Sequence, residues 1–185
     1  MTDNLSQLLA TPMQERLGQP VVVENKVGAA GNIATSFVAK SAPDGYTFLA
    51  SGVGQIVVLP HTSNLDVNPL TDLVHIAMTG DGDQILNIAA DVPAKNLQEY
   101  IAYVKANPGK IFYGDAGAGG NQHPYLAYFN LLAKLDMQAV HYRGGGPMMA
   151  DLLSNRVQIS LNAPSVVGPH IAAGKLRPIM IVGKK

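Results

Sequence analysis

The sequence predicts an α/β fold, and two observations support that prediction. Short apolar runs typical of buried strands alternate along the chain with segments in which apolar residues recur at helical spacing. Loops containing glycine or proline follow the strand-like runs, for example at 26–32, 114–121 and 143–147. Alternation of this kind indicates βαβ units, in which parallel strands form a sheet that helices cover.

The first half of the chain begins with a predicted helix. Apolar residues recur at helical spacing over 3–17, where Pro12 predicts a kink and Gly18 can end the helix. Residues 53–72 show no clean period. The other predicted elements of this half are strands at 20–25, 45–51, 73–80 and 84–91 and a helix at 33–40.

The second half shows a clearer alternation and predicts a compact α/β unit. Tyr125, Tyr128, Phe129 and Leu132 share one face of a predicted helix, and we expect them in the core. The other predicted elements are helices at 97–106, 148–155 and 164–173 and strands at 111–113, 137–142, 157–162 and 177–183. Ligands of open α/β sheets bind beyond the carboxyl ends of strands, so we expect a site at loops 114–121, 143–147 and 162–165.

The composition excludes several classes of function. The 185 residues are long enough for one domain or two small ones, with 47% hydrophobic and 14% charged residues. Lys and Arg number 13, as do Asp and Glu, so no basic field attracts nucleic acid or an anionic membrane surface. The absence of cysteine excludes disulfides, thiolate metal sites and cysteine nucleophiles. No apolar run approaches the length of a membrane span, so we expect no direct membrane insertion.

A glycine-rich loop, in YGDAGAGGNQHP at 113–124, predicts an anion site at the start of a helix. The loop lacks a nucleotide motif. Gly114 and Gly119 have the Walker A separation, but Gly120 and Asn121 stand where Lys and a hydroxyl residue are required. The dinucleotide fingerprint fails as well, because Gln122 occupies its third glycine position.

Catalytic and metal motifs are also missing from the sequence. It contains no G-x-S-x-G elbow, and its five histidines show no metal-ligand spacing, so we predict no enzyme, no metal site and no cofactor. His141, inside a predicted strand, is interpreted as structural. His123 can donate to an anion or cap the loop. Gly144–Gly146 form a turn or face the same ligand, and Asn162 either orients a ligand or makes a turn.

Five stretches resemble one known family in their order and spacing. They are RLGQPVVVENKVGAAGN, APDGYTFL, KANPGKIFYGDAGAGGNQH, HYRGGGPMMADLLSNRVQISLNAPS and HIAAGKLRPIMIV. Over nearly its whole length, the chain is similar to the extracytoplasmic solute receptors of tripartite tricarboxylate transporters, the Bug family.

The resemblance implies a periplasmic-binding-protein-like fold of type II, a Venus flytrap with two α/β lobes and a hinge. Lobe one corresponds to 1–95 with 177–185 and is expected to be incomplete, whereas lobe two, 96–176, is expected to be complete. The implied function is capture of a small organic carboxylate in the periplasm and its delivery to membrane permease subunits. The resemblance implies no catalysis, and together with the balanced charge we expect no cofactor and no nucleic acid partner.

The resemblance also implies a set of ligand-binding residues, because the family holds a carboxylate mainly through backbone N–H groups. Residues 116–122 are expected to supply those groups, while His123 and Asn162 supply side-chain contacts. The residues at 51–52 are expected to face the ligand from lobe one, and those at 2–3 to be the surviving end of a second binding loop. The full set is Ala116, Gly117, Ala118, Gly119, Gly120, Asn121, Gln122, His123, Asn162, Ser51, Gly52, Thr2 and Asp3.

Three positions depart from the family pattern. Asp115 replaces a usual Ser, and a carboxylate beside an anion site is unfavourable unless it points away or accepts from the loop's own N–H groups. Gly120 and Asn121 replace a hydroxyl-rich pair. Asn162 stands where many members have Asp, which weakens the case for a ligand with an ammonium group.

Three other readings stay open at this point. Bilobed folds of this type also serve as ligand-sensing domains of transcriptional regulators, although the sequence contains no helix-turn-helix segment. An α/β enzyme is disfavoured by the lack of a nucleophile, base and orienting group. The chain can also be a truncated lobe that binds nothing.

Overall fold

The computed structural model describes residues 2–183, and its centre is a five-stranded mixed sheet. The strands lie side by side in the order β3-β2-β4-β1-β5. Strands β2, β3 and β4 are parallel to one another, while β1 is antiparallel to both of its neighbours. The strands are β1 (Gln84–Ala89), β2 (Ile111–Asp115), β3 (Met137–His141), β4 (Ile159–Asn162) and β5 (Leu176–Val182).

Seven α-helices lie within residues 2–183, and none of them combines the length and apolar character needed to cross a membrane. Two shorter turns, a 3-10 turn at Ala29–Gly31 and a π turn at Gly54–Val58, precede the second and third helices. The helices are α1 (Thr2–Leu17), α2 (Asn32–Ala39), α3 (Leu59–Thr62), α4 (Leu97–Ala106), α5 (Gln122–Leu132), α6 (Gly145–Leu153) and α7 (Pro164–Ala172).

The core lies around β1 and β4, two of the three inner strands of the sheet, and every residue of β4 is buried. Tyr100 of α4 and Leu152 of α6 are fully buried against this sheet. Helix α4 starts where it does because the Asn96 side chain accepts a hydrogen bond from the N–H of Glu99, a standard N-cap. The second half of the chain therefore has the helix-and-strand alternation that its sequence predicts.

Three strand predictions in the first half are wrong. Residues 20–25, 45–51 and 73–80 are not paired into the sheet. A strand is stable only when its backbone groups bond to a neighbour, and no segment within 2–183 takes that place. Their apolar side chains are largely exposed, with Val22, Tyr46 and Val74 each more than four-fifths accessible.

The prediction that four residues of α5 lie in the core is also wrong for three of them. Tyr125, Tyr128 and Leu132 are 48%, 60% and 64% exposed, and Phe129 alone of the four packs against the core. The helix buries Leu126 instead. Helical spacing identified an apolar surface, but the sheet contacts only its edge.

The predicted division into lobes stays a prediction. The sheet joins strands from both parts of that division, because β1 belongs to 1–95 and β5 to 177–185, while β2, β3 and β4 belong to 96–176. The two parts therefore share a hydrogen-bonded sheet along β1 and β4.

Candidate functional site

Three helices begin beside one another at the carboxyl edge of the parallel strands. Helices α5, α6 and α7 follow β2, β3 and β4, whose carboxyl ends meet at this edge. None of the three has a hydrogen bond from an N-cap side chain. Uncapped helix N-termini present free N–H groups and the positive end of the helix dipole. This edge is therefore suited to an anion, as the positions of loops 114–121, 143–147 and 162–165 predict.

The glycine-rich loop between β2 and α5 satisfies several of its own amides. The N–H of Ala116 donates to Gln122 Oε1 at 2.9 Å, and that of Gly117 donates to Asp115 Oδ1 at 2.9 Å. The N–H of Gly119 donates to His123 Nδ1 at 2.9 Å. These contacts hold the loop in one arrangement, so its remaining donors are positioned before any ligand arrives.

The donors that remain lie at the start of α5. Among the described residues, no acceptor takes the N–H groups of Ala118, Asn121 or Gln122. Ala118 is exposed, and the other two residues are half-buried. Of the backbone N–H groups at 116–122 that we predict to contact a ligand, these three therefore remain free to do so among the described residues.

Segments of the first half pack closely on this loop. A Cβ on Gly117 would lie 2.9 Å from Ala30 Cα, and a Cβ on Gly54 would lie 2.4 Å from Asn121 N. Gly117 also has a φ of +145°, a conformation that other residues rarely adopt. The glycines are therefore required for close approach of the first half to the loop.

The predicted residues from the first half lie at different distances from this contact. Gly52 is two residues before Gly54, and its N–H donates to Gln55 Oε1 at 3.0 Å, whereas Ser51 is exposed. Thr2 and Asp3 begin α1, where Asp3 Oδ1 accepts from Asn25 Nδ2 at 2.9 Å. The structure brings 51–52 to the loop through Gly54 and shows no contact of 2–3 with it.

Asn162 is buried and belongs to a chain of amides behind the loop. Its Nδ2 donates to Asn87 Oδ1 at 3.2 Å, and its Oδ1 accepts from Gln122 Nε2 at 3.4 Å. Gln122 Nε2 also donates to the carbonyl of Leu161 at 2.7 Å. Asn162 therefore positions Gln122, the first residue of α5, and its own polar atoms are already in use.

A cluster of three ionisable side chains lies directly under the loop. Asp115 is fully buried at the end of β2, and both of its carboxylate oxygens contact His141 Nδ1, at 2.8 and 3.0 Å. The His123 ring meets the His141 ring edge-on, with centroids 4.7 Å apart. Burial lowers the pKa of His123, Asp115 acts in the opposite direction, and His141 adds to the lowering.

Sequence reasoning left Asp115 unplaced and interpreted His141 as structural. The structure resolves the first point, because Asp115 accepts from the N–H of Gly117 and from His141. The two residues are 26 positions apart, so no local motif could join them. The signal available was that each residue lies close to the carboxyl end of a predicted strand, 111–113 or 137–142; the structure shows that these strands are parallel neighbours.

Comparison with solved structures identifies the class of fold as that of the periplasmic binding proteins. The chain is similar to a structure described as a periplasmic transporter, with a TM-score of 0.94, 32% identity, and coverage of 100% of this chain and 62% of that one. It is also similar to MatC from Rhodopseudomonas palustris with bound malate, with a TM-score of 0.91, 27% identity and coverage of 100% and 63%. The R. palustris protein Rpa4515 with adipate gives a TM-score of 0.84, 28% identity and coverage of 99% and 62%.

The chain belongs to the tripartite tricarboxylate transporter family receptors, whose family model matches residues 5–185. Among relatives, it is 36% identical over 184 residues to a UPF0065 protein of Cupriavidus necator, covering 100% of this chain and 56% of that protein. It is 35% identical over 183 residues to the protein BugT of Bordetella pertussis, covering 98% and 56%. The family resemblance predicted from the sequence is confirmed, and the chain spans little more than half the length of these relatives.

Proposed function

We propose that this chain is part of an extracytoplasmic receptor that binds a small organic carboxylate. The observation that carries the proposal is the edge formed by α5, α6 and α7, where three uncapped helix N-termini follow parallel strands. At α5 the unpaired N–H groups of Asn121 and Gln122 are half-buried, so a carboxylate there gains hydrogen bonds in a partly desolvated place.

The chemistry of the relatives supports a carboxylate over other anions. MatC is described with malate and Rpa4515 with adipate, both small dicarboxylates. The sequence carries no phosphate-binding motif, since Gly120 and Asn121 replace the Lys and hydroxyl residue of a Walker A loop. A dicarboxylate fits an edge with several helix N-termini because each carboxylate can meet a different set of donors.

Transport, location and the residue set are part of the same proposal. The receptor works in the periplasm, delivers its ligand to membrane subunits of the transporter, and performs no catalysis. Ala118, Asn121, Gln122 and His123 contact the ligand directly. The loop keeps its shape through Gly117, Gly119, Gly120 and Asn162. From the first half, Ser51 and Gly52 approach the ligand beside the contact that Gly54 makes with the loop.

The proposal is tested by isothermal titration of the 185-residue chain with malate, adipate and citrate. Adipamide, the neutral diamide of adipate, is the matched ligand control. We expect at least one carboxylate to bind and adipamide not to bind, because only a charged group gains from the helix dipoles. A chain that binds no carboxylate, or binds adipamide as well as adipate, contradicts the proposal.

A further inference from the structure

Asp115, His123 and His141 come from three different elements and meet under the ligand loop. Asp115 ends β2, His123 lies in the first turn of α5, and His141 ends β3. One carboxylate oxygen and one nitrogen of each imidazole all lie within 4.8 Å of one another. Within residues 2–183, these three side chains form the cluster whose ligand atoms lie close enough together to share one metal ion.

The surroundings of these side chains resemble the support that metal ligands require. The N–H of Gly117 donates to Asp115 Oδ1 at 2.9 Å and so orients the carboxylate. The ring of Tyr113 stacks on that of His123, with centroids 6.4 Å apart. Ligands held by hydrogen bonds and packing lose little freedom on binding a metal, which strengthens the site.

The burial of the Asp115 carboxyl group under the loop provides a second reason for a cation at this place, and this reason rests on the proposed function. The Asp115 side chain is 0% exposed, and it lies beneath a loop that we propose binds an anion. Two negative groups close together in a buried site repel each other unless a positive group lies between them. His141 can supply one charge when protonated, and a divalent ion can supply two.

We propose that Asp115, His123 and His141 bind a divalent first-row transition metal ion of the Zn²⁺ type, and that this ion accepts a carboxylate of the ligand. Two imidazoles and one carboxylate favour such ions over Mg²⁺ and Ca²⁺, which prefer all-oxygen sites. Three protein ligands leave coordination positions open for a carboxylate. This inference rests on the proposed carboxylate-binding function and specifies its ligand class as one that binds metal.

Binding of the ion requires a small rearrangement and a loss of protons. Metal bonds of about 2.0–2.2 Å place neighbouring ligand atoms about 3.3 Å apart in a tetrahedral site, so the three side chains move closer together. Imidazole binds metal in its neutral form and Asp115 binds as the carboxylate, so binding of the ion displaces any proton that these groups carry. If the ion binds His123 at Nδ1, the N–H of Gly119 is freed from that atom and becomes a further donor for the ligand.

The test is titration of the metal-stripped 185-residue chain with Zn²⁺ by calorimetry and with Co²⁺ by visible absorption. We expect one ion per chain, and Co²⁺ bands characteristic of nitrogen and oxygen ligands. His141→Ala and Asp115→Asn should each weaken binding at least tenfold, whereas His170→Ala should not, because His170 belongs to no such cluster within 2–183. His141 is exposed, so His141→Ala keeps the test valid if Asp115→Asn does not fold.

Equal Zn²⁺ affinity of the wild type and His141→Ala, or equal losses in His141→Ala and His170→Ala, overturns the metal site. Adipate titration with and without Zn²⁺ separates this inference from the proposed function, because the two carboxylates of adipate are too far apart to chelate the ion strongly in solution. We expect Zn²⁺ to raise adipate affinity at least tenfold in the wild type but not in His141→Ala. Adipate binding without any Zn²⁺ effect overturns the metal inference and leaves the function standing. Zn²⁺ binding with no binding of malate, adipate or citrate contradicts the function and the capture of a carboxylate by the ion, and leaves only the metal-binding cluster standing.

Discussion

The N–H of Gly119 donates to Nδ1 of His123, four residues further along the chain, at 2.9 Å. Because Nδ1 accepts this bond, the neutral imidazole carries its proton on Nε2 and can donate from that atom. Burial lowers the pKa of His123, which favours this neutral form. In the metal-free chain the loop thus prepares His123 as a hydrogen-bond donor for an anion.

Replacement of His123 by alanine should weaken adipate binding about tenfold or more. The variant loses a donor to a charged group, worth about 1.5–3 kcal/mol, and leaves the N–H of Gly119 without its acceptor. Calorimetric titration measures the affinity, and His170→Ala is the matched control, because it removes an imidazole from α7. Unchanged affinity in His123→Ala would remove His123 from the site.

A carboxylate placed at the start of α5 should compete with the ligand. In Asn121→Asp the new charge occupies the helix N-terminus, so carboxylate affinity should fall about tenfold while the free energy of unfolding stays equal or rises by about 0.3–1 kcal/mol. Gln98→Glu makes the same change in charge in the first turn of α4 and should leave affinity unchanged. Opposite effects on stability and binding would locate the anion at α5, whereas equal losses of affinity in both variants would point to a nonspecific effect of charge.

The contact between Gly54 and Asn121 should tolerate no side chain. A Cβ at position 54 would lie 2.4 Å from Asn121 N, so Gly54→Ala should lower the free energy of unfolding by about 1–3 kcal/mol and reduce adipate affinity. Gly168→Ala in α7 is the matched control, because no atom lies within 4 Å of its new Cβ. That variant should be neutral or slightly stabilising. Urea unfolding measures the stability of both variants, and calorimetric titration measures their adipate affinity. An unchanged free energy of unfolding in Gly54→Ala would show that the first half does not pack on the loop.

The exposed pair of Lys40 and Asp66 should lower the pKa of the Asp66 carboxyl group in the folded chain. The hydrogen bond from Lys40, and then that from Ser36, hold the pKa of Asp66 below its ordinary value. The stabilisation is therefore present above the unfolded-state pKa and is lost as pH falls through the lower folded-state pKa. Carbon-detected NMR titration should show a rise in the pKa of Asp66 in Lys40→Met. An unchanged pKa in that variant would mean that the pair does not form in solution.

The sequence predicted the second half of the fold because its signals are local. Apolar spacing predicted the helix at 97–106, which the structure has as α4. The strands at 111–115, 137–141 and 159–162 pair with each other or with β1, all within the described chain. The strand predictions for the first half are wrong because a strand forms only beside another strand, which a local pattern does not reveal. Residues 73–80 have a strand-like pattern, but a strand forms only if another segment supplies its hydrogen bonds.

The candidate site was predictable in position but not in its internal contacts. Glycine spacing and the loop's place after a strand predicted correctly that loop 114–121 lies at the sheet edge. The sequence could not show that the Asn162 side chain donates a hydrogen bond to Asn87, or that His141 contacts Asp115. Those contacts depend on strand order, which joins β2 to β3 and β4, and strand order is not encoded in any single segment.

Amide NMR shows residue by residue whether a carboxylate binds at the N-terminus of α5, as we claim. The ¹⁵N-labelled chain is titrated with adipate and, as a control, with adipamide. We predict that the amide signals of Ala118, Asn121 and Gln122 shift with adipate, moving together with one dissociation constant, and stay in place with adipamide, because those N–H groups are the unpaired donors. Adipate shifts confined to other parts of the chain, or no shift at these three amides at saturation, would contradict the claim.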